Sequence, residues 1–118
     1  MRYRTSGSSN STSNYGSTNF RASTATATGT SVGATYIELG YAGQTNGASC
    51  VITLFGPQTT TQTLNLVQSF SNSGGSTAYY TYPNGGIFTQ TTSFDGVEFY
   101  PTAGNVTGSY TIYGYAKS

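Results

Sequence analysis

The fold class this chain predicts is all-β: a single β-sandwich, jelly-roll-like, with an extended N-terminal arm. Three observations lead there. Short runs of alternating apolar and polar residues recur between Gly, Pro and Asn turn signals, and no stretch carries a helical period. Charged residues make up only 6% of the chain, against about 25% in ordinary soluble domains. The eleven Tyr and six Phe separate it from a disordered low-complexity chain, which lacks the aromatic side chains that build a core. At 118 residues there is room for one domain.

Taken in order, residues 1–24 are Ser, Thr, Asn and Gly with Tyr3, Tyr15 and Phe20 as isolated apolar points. So little apolar surface cannot offset the entropy of ordering the segment alone, and an extended arm is expected there, with a β-sandwich body over residues 25–118. The arm holds Arg2, Arg4 and Arg21, whereas Lys117 and all three acids, Glu38, Asp95 and Glu98, lie in the body. A basic arm of this kind suits an acidic protein surface. Three dispersed arginines are too few for a nucleic-acid footprint.

From Ala22 the run ASTATATGTSV, residues 22–32, alternates small and β-branched side chains and fits an edge strand or linker, with a strand over residues 22–28. ATYIELGYA follows as a strand with Ile37, Leu39 and Tyr41 on one face, and Asn46-Gly47 marks a turn. ASCVITLF is the most apolar run and predicts a central strand stopped by Gly56-Pro57, with Cys50 as a buried, inert thiol. In TLNLVQSF, Leu64 and Leu66 alternate before Val67 and Phe70 break phase, as at a bulge. TAYYTYPNGGIF reads as a hairpin turning at residues 83–86. The chain closes with a strand over residues 94–100, a turn, and a last strand over residues 106–116. There Tyr110 and Ile112 face the core, while Tyr113 and Tyr115 turn toward a neighbouring subunit.

Little in the sequence supports catalysis. Histidine is absent, so the commonest general base and transition-metal ligand is missing. Asp95 and Glu98, three apart on a strand, point to opposite faces and cannot converge on a substrate as a glycosidase pair does. The glycines lack the Gly-Lys-Ser/Thr ending of a phosphate loop, and three acids are too few for a calcium loop. No cofactor is expected. The opening residues, MRYRTSGSS, carry no apolar signal core, and no apolar run approaches the roughly 18 residues of a membrane span. A cytoplasmically made product without a membrane partner is the expectation. Asn10-Ser-Thr and Asn105-Val-Thr match the glycosylation sequon, as chance allows in so Ser- and Thr-rich a chain. Tyr79, Tyr80 and Tyr82 cluster beside the expected hairpin and are the candidates for glycan or receptor contact.

The pattern FDGVEFYP followed by AGNVTGSYTIYGYAK resembles the closing hairpin of small tailed-phage virion surface proteins, with Val97, Phe99, Gly104, Gly108, Ser109, Tyr110, Ile112, Tyr113 and Gly114 at the matching positions. The resemblance covers about a fifth of the chain. It implies a non-enzymatic capsid decoration, or cement, protein or else a fibre or adhesin tip, as a homotrimer on the outer virion surface. In the decoration reading the arm, through Arg2, Tyr3, Arg4, Tyr15, Phe20 and Arg21, grips the major capsid protein and bridges capsomers.

Overall fold

The computed structural model describes residues 1–22, 26–40, 47–72 and 79–115, with backbone alone at 19–22, 26–32, 72 and 79. Among these residues there is no helix. Eight strands follow in chain order: β1 (Arg2–Thr5), β2 (Ser8–Ser9), β3 (Tyr15–Ala22), β4 (Thr26–Ala34), β5 (Ala48–Phe55), β6 (Thr63–Asn72), β7 (Tyr79–Phe88) and β8 (Gly96–Glu98). They form two antiparallel sheets packed together, one ordered β2-β1-β8 and the other β4-β3-β7-β6-β5. The all-β, two-sheet architecture therefore agrees with the sequence.

The N-terminal segment departs most from expectation. It is part of the body: β1 is the central strand of the small sheet, and Tyr3 and Tyr15 are buried. β1 turns into β2 through Ser6 and Gly7, both left-handed at φ 51° and 76°. Two positive-φ residues between paired strands match the right-handed strand twist, so this sparse sequence is a tight hairpin. On its other side β1 pairs with β8, Tyr3 opposite Val97. The isolated apolar points of residues 1–15 thus meet partners far away in sequence, which local composition cannot reveal.

The core is an aromatic cluster between the sheets. Tyr3 stacks on Phe94 at 4.6 Å and on Tyr15 at 5.9 Å, and it meets Phe88 edge-on at 5.9 Å. Phe88 is edge-on to both Tyr15 and Phe94, each at 4.9 Å. Each such pair adds about 0.5–1.5 kcal/mol beyond area burial. The two hydroxyls are satisfied: Tyr15 Oη accepts from the Tyr3 amide at 3.0 Å and donates to the Asn10 carbonyl at 2.8 Å, while Asn65 Nδ2 donates to Tyr3 Oη at 3.1 Å. Ile37 closes the cluster and exchanges two backbone hydrogen bonds with Met1, at 2.7 and 2.9 Å.

Other elements shift as well. Residues 35–40 hold no strand; Ile37 is buried and Leu39 packs partly buried against the same cluster, while Tyr41 lies outside the described residues. β5 is an edge strand and not a central one, and Cys50 on it is exposed. β6 pairs with both β5 and β7 without a register shift, so Leu64, Leu66 and Phe70 share one face and there is no bulge. β7 runs straight through Pro83-Asn84-Gly85-Gly86, where the sequence signals a turn. Pairing on both sides overrides the local preference. Its trace survives on the β3 side, where the ladder joins Asn19 to Asn84 and Ala22 to Thr81 but skips the two positions between, beside a proline that has no amide to donate. Gly86 leaves room for Asn65: a Cβ there would stand 2.7 Å from Asn65 Oδ1.

Among the described C-terminal residues only Gly96–Glu98 pairs, and it pairs with β1. Residues 101–115 carry no strand and are exposed throughout. Tyr110 and Ile112, expected in the core, are 78% and 77% exposed. The core is built by Met1, Tyr3, Tyr15, Ile37, Phe88 and Phe94 instead.

Candidate interaction surface

β6 carries its polarity inverted. Thr63, Asn65, Ser69 and Ser71 point inward with Val67, whereas Leu64, Leu66 and Phe70 point outward. A sheet with one solvated face ordinarily puts its apolar residues inside. Directly opposed residues of an antiparallel pair share a face, so Val51 and Phe55 of β5, opposite Gln68 and Leu64, join the outward set. These five side chains are 46–67% exposed. Between them, Phe55, Leu64 and Leu66 with Gly85 and Gly86 line a shallow groove of ≈ 380 Å³. Patches of several hundred Å² mark interaction sites when they form one continuous surface.

The inward face of the same strand is correspondingly polar. On β6 Thr63 Oγ1, Asn65 Oδ1, Ser69 Oγ and Ser71 Oγ, and on the neighbouring β7 Asn84 Oδ1, are buried without a hydrogen-bond partner among the described residues. Each such group costs about 1–3 kcal/mol relative to a satisfied one. A strand that accepts this cost while holding two leucines and a phenylalanine outside is shaped for cover on its outer side. The alternation is readable in TLNLVQSF, but alternation alone does not say which of its two faces is buried, and apolar residues in a small domain are ordinarily inside.

The positions singled out by sequence are scattered. Arg2 donates through Nε to the Thr35 carbonyl at 2.9 Å, and its guanidinium lies 4.8 Å from the Tyr100 ring centre; Arg4 donates to the Gly7 carbonyl. Both thus serve local structure. Tyr3 and Tyr15 are core residues, and the Phe20 and Arg21 side chains lie outside the described residues. Four of the six are thus bound into the body. Of the glycan candidates, Tyr82 is 3% exposed, Tyr80 is half-buried with its ring 6.1 Å from that of Tyr82, and the Tyr79 side chain lies outside the described residues. Burial of Tyr82 removes it from any surface platform. Tyr113 and Tyr115 are 81% and 91% exposed.

The acids do not converge. Glu98 accepts from the Ser9 hydroxyl, Asp95 is tied to Arg4 through its backbone amide, and Glu38 offers its backbone carbonyl to Asn84 Nδ2 at 3.3 Å. Among the described residues no three of His, Cys, Asp and Glu gather as a metal site would require. Burial shifts the titrating groups of the body. It pushes Tyr3 up to about 12, raises Tyr15, and lowers the Met1 amino group to about 6.

The chain matches no protein-family model, no curated protein and no solved structure.

Proposed function

We propose that this protein is a non-enzymatic structural subunit of a virion surface, a capsid decoration protein that associates with copies of itself and with the major capsid protein on the outside of a tailed-phage particle. The single observation that carries the reading is the outward apolar face of Val51, Phe55, Leu64, Leu66 and Phe70 on a sheet whose inner side is polar. A subunit that spends its service life packed among neighbours can hold such a face, because the assembly covers it. The low charge fits the same role: lateral contacts between neutral surfaces are insensitive to salt.

The resemblance of residues 94–117 to virion surface proteins points the same way, and a two-sheet, all-β body is compatible with the sandwich it implies. A homotrimer is the assembly that this resemblance implies. The mode of attachment differs from an arm. Since Met1, Tyr3 and Tyr15 build the core, capsomers would be bridged by the sheet face and the C-terminal segment. No membrane and no nucleic acid enters the mechanism. Contacts of useful strength bury upward of about 1,000 Å², and many equivalent copies add avidity.

Location tests this. An antibody raised against the chain should decorate the outside of intact particles, and particles assembled with Leu66→Asp should carry less of the protein. A chain found only free in the lysate, or inside the particle, overturns the proposal.

A further inference from the structure

The β5 edge of the large sheet and residues 106–115 have matching chemistry. The sheet order leaves β4 and β5 as edges. β4, TATGTSVGA, has only small side chains besides Val32, whereas β5, ASCVITLF, is long, uncharged and apolar. β5 has none of the lysines, prolines or bulges with which proteins blunt an exposed edge. In the small sheet β2 and β8 are two and three residues long, too short to template a strand.

The segment 106–115, VTGSYTIYGY, is likewise uncharged and free of proline. Every residue of it is exposed, and no backbone hydrogen bond among the described residues involves it. Its pleat would put Val106, Tyr110 and Ile112 on one face and Thr107, Thr111, Tyr113 and Tyr115 on the other. At about 3.3 Å per residue it is long enough to pair with all of β5. Both of its faces would find apolar neighbours there: Val51 and Phe55 on the outer side, Ile52 and Leu54 on the inner.

We infer that residues 106–115 of one copy add as a sixth strand to the β5 edge of a second copy, so that the C-terminal segment is the strap that links neighbouring subunits. This rests on the reading of the protein as a self-associating subunit and names the contact that makes it so. Main-chain hydrogen bonds along β5 supply the attachment, and the alternating apolar side chains fix its register. Because this segment joins neither sheet of its own chain and is exposed along its whole length, a neighbour's edge is the surface it serves.

The test compares native masses, by sedimentation or light scattering, of the full chain, a chain ending at Gly104, and the full chain with Val51→Lys, which sets a charge on the exposed side of the edge. The full chain should assemble. Both variants should run as single chains while keeping the β-type circular dichroism of the parent. A synthetic peptide of residues 105–118 should bind the truncated chain saturably, and Val51→Lys in that chain should abolish binding. Cys50, on the same edge, should react with a maleimide more slowly in the assembled full chain than in the truncated one. If the truncated chain and the Val51→Lys chain both keep the parent's assembled mass, the strap is overturned while self-association stands. A full chain that is itself a single-chain species overturns both.

Discussion

Replacing Tyr3 by alanine should remove a large part of the protein's stability. Tyr3 sits at the centre of the aromatic cluster, with no exposed surface, in ring contact with Tyr15, Phe88 and Phe94. Truncating a buried aromatic side chain costs about 3–5 kcal/mol, and a domain of this size has only about 5–15 kcal/mol in all. The variant also strands Asn65 Nδ2, whose acceptor is the Tyr3 hydroxyl. In urea the midpoint should fall by roughly 2 M for an ordinary dependence on denaturant. Were residues 1–24 a detached arm, the midpoint would not move. The experiment therefore decides between an arm and a core strand, the largest difference between the sequence-based organisation and the structure.

The second large effect is a loss of stability in alkali. Burial pushes Tyr3 up to about 12 from its ordinary 10, and Tyr15 moves the same way. An acid whose folded pKa lies above its unfolded value contributes stability that is fully present below the unfolded pKa. That contribution is lost as pH rises through the folded one. For Tyr3 the window runs from about 10 to about 12, and two units correspond to about 2–3 kcal/mol. Tyr3→Phe keeps the ring contacts and removes the titrating group. It should cost about 1 kcal/mol near neutral pH, through the lost hydrogen bond from Asn65, and should flatten the alkaline decline. Urea midpoints of both chains measured below and inside the window check it. Parallel declines would mean that Tyr3 is not the group responsible. Tyr15 still titrates in the variant, so the decline should shrink and not vanish.

How far the fold was legible depended on whether the deciding contact was local. The β5 run with its stop at Gly56-Pro57 could be read because alternation and turn residues act over a few positions, whereas the small-residue run from Ala22, open between strand and linker, begins at the last residue of β3 and enters β4 only at Thr26. β1 could not be read, because Tyr3 finds Val97 and Phe94 some ninety residues away, and nothing in RYRT signals it. PNGG misled for the opposite reason: a strong local turn signal is overridden when β3 and β6 pair with β7 on either side. The C-terminal run had the right period for a strand, but a period names a conformation and not the chain that completes it. TLNLVQSF held the candidate surface in plain alternation. Recognising it required knowing that Asn65, Ser69 and Ser71 face inward, which follows from the pairing of β6 with β7 and is invisible in the strand itself.

The central claim is that the outward apolar face of the large sheet is built to be covered by neighbouring subunits, and the native mass of the purified full chain beside its Leu66→Asp variant tests it most directly. Leu66 is 54% exposed, so the substitution should leave the fold intact and act only on association. The account predicts a parent species that is a multiple of the 12.3 kDa chain at micromolar concentration, and a variant that dissociates to that single-chain mass. A parent that remains at the single-chain mass as concentration rises, or a variant that assembles as the parent does, contradicts it.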